Sequence, residues 1–80
     1  MWKNSFPKSF RNLRLFRGGL KAYNLGDFKN AVNIFKKLIQ NEPDVSFSWY
    51  MLLECLSYLG LWGEMIEVGN EALEKKIESD

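Results

Sequence analysis

The chain resembles itself at an offset of 34 residues. Leu15 recurs as Trp49, Phe16 as Tyr50, Leu25 as Leu59, Gly26 as Gly60, Phe28 as Trp62, Val32 as Ile66 and Ile34 as Val68. Each pair keeps the physical character of its side chain. A fixed period of this length marks stacked helical hairpins, in which one repeat cannot bury its apolar face alone. It points toward a surface that holds another chain and away from a pocket that does chemistry.

The helical pattern is legible segment by segment. Residues 1–12 read as irregular, because Pro7 pushes Phe6 out of the helical region. Ser9 or Asn12 offers a cap, and a first helix is expected from Phe10 to Leu25. Its residues Leu13, Phe16, Leu20 and Tyr23 fall three or four apart on one face. Leu15, Gly18, Gly19 and Ala22 form a second face, small enough for a neighbouring helix to cross closely. That crossing would offset the roughly 1 kcal/mol each interior glycine costs.

Gly26-Asp27 is a turn signal: the glycine ends one helix and the aspartate opens the next. A second helix from Phe28 to Asn41 carries Phe28, Ala31, Val32, Phe35, Leu38 and Ile39 on its apolar side and stops before Pro43. A third, Ser46 to Leu59, should bury Trp49, Leu52, Leu53 and Leu56, with Asp44 and Ser46 as capping oxygens. A fourth, Trp62 to Lys76, has Met65, Ile66, Val68, Gly69, Ala72 and Leu73 on its apolar side. Glu74 to Asp80 reads as a frayed tail.

These residues carry a family likeness. The stretch from Ala22 to Asp44 resembles a tetratricopeptide repeat: Gly26 at the turn, Phe28 after it, small Ala31, aromatic Phe35, then Leu38 and a closing Pro43. A second copy keeps Trp49, Leu52, Gly60, Trp62 and Ala72. It departs at Leu53 for a small residue, Met65 for alanine, Gly69 for the aromatic, and Ile77 for the proline. The resemblance implies an all-α fold of two antiparallel helix-turn-helix hairpins, stacked as a short right-handed α-solenoid. Residues 12–45 and 46–80 would be the two repeats, behind a basic, aromatic extension of residues 1–11.

The resemblance also implies a concave groove lined by the first helix of each hairpin. Its residues would be Leu13, Phe16, Leu20 and Tyr23, then Phe47, Tyr50, Glu54 and Tyr58. Phe16 and Leu20 stand where carboxylate-gripping members of the family use lysine and asparagine, which argues against an acidic-tail clamp. An apolar groove suits an extended peptide or an amphipathic helix. The competing expectation is that Trp2, Phe6 and Phe10 fold back into the groove themselves. Met65, Ile66, Gly69 and Leu73 form a further surface with no capping helix over it. A second copy of the chain, or a subunit of a larger assembly, is expected there.

Formal net charge is +1, yet the charges are segregated. Lys3, Lys8, Arg11, Arg14, Arg17 and Lys21 precede Gly26 with no acid among them, and the stretch from Leu38 to Glu74 holds acids and no base. Such a chain presents either two solvated faces or opposite potentials that draw copies head to tail. The basic residues interleave with Trp2, Phe6, Phe10 and Phe16, so nucleic-acid binding is the alternative function.

Catalysis is the weakest candidate. There is no histidine, Cys55 reads as a buried apolar side chain, and the acids are scattered, so no cofactor or metal site is expected. The lone cysteine excludes an internal disulfide and points to a reducing, cytoplasmic setting. Organelle targeting by the basic N-terminus is the competing possibility. No apolar run approaches a membrane span.

Overall fold

The computed structural model describes residues 6–79, with side chains through residue 75. It contains four helices: α1 (Phe10–Asn24), α2 (Phe28–Asn41), α3 (Ser46–Tyr58) and α4 (Trp62–Ser79). Each packs against the next in sequence, giving two antiparallel helical hairpins. The Cα atoms span 34 × 31 × 15 Å, a slab thin enough for both of its broad faces to meet solvent.

The turns form for the reasons the sequence suggests. Gly26 and Gly60 take φ values of 79° and 72°, the left-handed conformation that ends a helix in a hairpin. Ser9 accepts from the Asn12 amide at 3.1 Å and opens α1; Asp27 accepts from the Asn30 amide at 3.4 Å and opens α2. The third helix departs from expectation. Its N-cap is Val45, a position whose side chain has no acceptor and makes no capping bond. The loop is held instead by the Trp49 indole, which donates to the Pro43 carbonyl at 2.8 Å.

The expected frayed tail is helical: α4 continues to Ser79. From Ala72 to Ser79 it meets neither proline nor glycine, and alanine, leucine, glutamate and lysine all favour the helix.

The core is built from both hairpins. Phe35, Leu38, Leu52 and Leu56 are wholly enclosed, each contributing roughly 1.5–3 kcal/mol of burial. Phe16, Ala22, Ala31, Val32, Trp49, Met51, Cys55 and Val68 complete it. Leu53, expected among the main buried row, is only half-buried and Met51 faces inward instead, while Cys55 is buried as expected. The two adjacent glycines of α1 diverge. A Cβ on Gly19 would stand 2.8 Å from the Phe35 ring, the close crossing anticipated, whereas one on Gly18 would touch nothing within 4 Å.

Candidate binding groove

The first helices of the two hairpins, α1 and α3, bring the expected groove residues together as two aromatic clusters. At one end Phe16 meets Phe47 edge-on at 5.5 Å, and Phe47 meets Tyr50 at 5.8 Å. Phe16 is anchored from below by Phe35, ring centroids 5.9 Å apart. At the other end Tyr23 meets Tyr58 at 5.9 Å, and Phe28 stacks on Tyr58 at 4.7 Å with the rings 8° apart. Half-buried Leu20 lies on α1 and Glu54 on α3, in sequence between the residues of the two clusters. Leu13 is more exposed than its place in the apolar pattern suggested, while Tyr50 and Tyr58 also face solvent.

The groove's polar chemistry is quiet. The Tyr50 phenol is held above its ordinary range, first by hydrogen bonding to the Glu54 carboxylate and then by that charge. Tyr23 is pushed up to about 12, chiefly by hydrogen bonding to Tyr58. Both phenols therefore stay protonated at neutral pH. Cys55, behind Glu54, is pushed up to about 11 by burial and the neighbouring charge, so its thiol is inert. What remains is a strip of rings with one carboxylate.

Part of the strip has an occupant from the chain itself. Phe6, in the non-helical segment before α1, stacks on Phe47 at 5.7 Å and meets the edge of Phe16 at 5.8 Å. It remains 56% exposed, so it lies over the groove without sealing it. Phe10 points to solvent, contrary to the expected fold-back, and Trp2 lies outside the described residues.

The device that sets this segment was not anticipated. The Glu42 carboxylate, just past α2, accepts from the Lys8 amide at 3.0 Å, the Ser9 amide at 3.2 Å and the Asn12 side chain at 2.8 Å. Asn12 is buried and accepts in turn from Asn41 at 3.0 Å. Glu42 thus supplies a negative charge to the amino end of α1, where the helix dipole favours one. Partial burial works to raise its pKa, but the hydrogen bonds from Asn12, Lys8 and Ser9 outweigh that and lower it. These bonds hold Pro7 in the interior and Phe6 over Phe16.

The remaining expected site residues lie elsewhere. Arg11, Arg14, Arg17 and Lys21 are exposed on α1; Lys8 is exposed beside Glu42; Lys3 lies outside the described residues. Phe10, Arg11, Arg14, Leu15, Gly18 and Ile34 line an open depression of ≈ 480 Å³ on this basic side. On α4, Met65 is half-buried against the core, Ile66 and Leu73 are exposed, and Gly69 lies beside open space. Among the described residues no three His, Cys, Asp or Glu side chains gather as a metal site. No described helix is long and apolar enough to cross a membrane. The chain matches no known protein family, no curated protein and no solved structure.

Proposed function

We propose that this chain is a non-catalytic protein-binding module of the tetratricopeptide-repeat kind, an adaptor or chaperone-like subunit. It holds an apolar peptide or helix across the α1/α3 groove. The observation that carries this reading is Phe6: a ring from the non-helical segment before α1 sits on Phe16 and Phe47, which supports a groove suited to apolar side chains. The free continuation of the strip, Tyr50 to Tyr58, offers exposed aromatic area of the kind that dominates binding energy at interfaces. The same contact supports a second reading, in which the chain's own amino-terminal segment is the resident occupant.

A labelled amphipathic helical peptide with leucine at heptad positions a and d tests both readings by fluorescence anisotropy. Tyr50→Ala with Tyr58→Ala should weaken capture by about tenfold or more while leaving helical circular dichroism unchanged, since both rings are exposed. Phe16 is unsuited to this test because it belongs to the core. Phe6→Ala should tighten capture by vacating its end of the groove. No binding by either the wild type or Phe6→Ala would rule the groove out as a capture surface.

A further inference from the structure

The two ends of the slab differ from its middle in one consistent way. Positions 34 residues apart occupy the same register in their hairpins, so a difference in burial reports what the neighbouring hairpin covers. On α3, Ser48, Leu52 and Cys55 are buried. Their counterparts on α1 are Arg14, Gly18 and Lys21, all exposed. On α2, Val32 and Phe35 are buried; their counterparts on α4 are Ile66, 61% exposed, and Gly69, open on its outer side. Trp62 and Leu73 extend the bare α4 stripe, and Phe10 and Leu25 cap the bare α1 stripe at its two ends. The surfaces that meet inside the molecule, α2 on α3, are thus repeated uncovered at its extremities.

The charges on these repeated surfaces are not copies. Five positions beside the internal junction are neutral, Asn33 and Gln40 on α2 and Ser48, Met51 and Cys55 on α3, while the one lysine that reaches it from α2, Lys36, is paired with Glu64. At the same register positions α4 carries Glu67 and Glu74, and α1 carries Arg14, Arg17 and Lys21. None of these five charged side chains forms an ion pair among the described residues. The sizes also correspond. Wholly buried Phe35 and Leu52 inside are replaced by Gly69 and Gly18 outside, each with nothing within 4 Å of an added Cβ. Two notched helices can approach where two bulky ones interdigitate.

We infer that a second copy of this chain covers each end, the acidic α4 stripe of one molecule packing on the basic α1 stripe of the next as α2 packs on α3 within one. The contact is heterologous, so it propagates into a ring or an open filament and does not stop at two molecules. An isologous α4–α4 pair is disfavoured because it would set Glu67 and Glu74 against themselves. Ile66 and Leu73 provide apolar burial, and the opposed charges set orientation and register.

Sedimentation velocity over a concentration series tests this inference independently of groove binding. The chain should form species larger than a dimer, and rising salt should dissociate them. Arg14→Glu with Arg17→Glu should weaken association on the order of tenfold or more, as should Glu67→Lys with Glu74→Lys. Each double variant alters exposed residues only, and circular dichroism checks its fold. Mixing the two should restore growth, since the unaltered α4 of one meets the unaltered α1 of the other and their two reversed faces are again opposite in charge. Several results would overturn the inference: a monomer at every concentration, a dimer indifferent to Arg14 and Arg17, or no rescue on mixing. Retention of labelled single-stranded DNA by the α1 arginines without self-association would assign that face to nucleic acid instead.

Discussion

The first hairpin and the second share a register but not a fate. In the first, α2 is covered on both sides, by α1 and by α3, and its apolar positions are large: Phe28, Val32, Phe35 and Ile39. In the second, α4 packs chiefly on α3 and reaches α2 through the Lys36–Glu64 ion pair, and the matching positions are Trp62, Ile66, Gly69 and Leu73. Phe35 is sealed at 0% exposure, whereas Leu73 is 59% exposed. A helical hairpin's pattern therefore states which side chains are able to be buried. Whether they are buried depends on the next hairpin along.

Substitution at paired positions breaks this comparison most directly. Phe35→Ala should cost about 3–5 kcal/mol, a large share of the stability of so small a domain. At the matching position Gly69→Ala should stabilise by up to about 1 kcal/mol, since the new methyl meets nothing and α4 gains helix propensity. Urea unfolding in dilute solution measures both. Equal and opposite small effects would mean that Phe35 does not anchor the core.

The adjacent glycines of α1 give a smaller contrast. Gly19→Ala presses a methyl into the enclosed Phe35 ring and should destabilise by roughly 1–3 kcal/mol, more than the propensity it gains. Gly18→Ala should raise stability by up to about 1 kcal/mol. Similar shifts in melting temperature from the two variants would show that α1 and α2 do not cross closely at Gly19.

The smallest effect concerns the bonds that hold Phe6 in place. The folded pKa of Glu42 lies below its ordinary value, so its contribution is present above that value and lost as pH falls through the folded one. Glu42→Gln should cost about 1 kcal/mol at neutral pH, discounted for partial exposure, and progressively less as pH falls below the ordinary carboxylate range. A gap between wild type and variant that stays constant with pH would contradict this role for the charge.

Much of the fold was legible because its punctuation is chemical. Gly26 and Gly60 take the left-handed turns their spacing implied, Ser9 and Asp27 cap, and the spacing of apolar residues on α2 names its buried face. The third helix was read less well, since apolar residues surround it on nearly every side and periodicity cannot say which of Met51 and Leu53 turns inward. The groove rings were named through the family resemblance, and the fold supplies their pairing, Phe16 beside Phe47 and Tyr23 beside Tyr58. The Glu42 cluster could not. It joins polar residues about 30 positions apart, outside the helical pattern, and only the folded path of the chain brings them together. That path also decides that Phe6, not Phe10, lies over the groove.

Amide chemical shifts of the isotopically labelled chain, followed from dilute to concentrated solution, address most directly the claim that its two extremities are halves of one junction. The account predicts progressive shifts in two places only, on α1 around Arg14, Gly18 and Lys21 and on α4 around Ile66, Gly69 and Leu73, with α2 and the interior of α3 still. Spectra that do not change with concentration, or changes confined to α4, would contradict it.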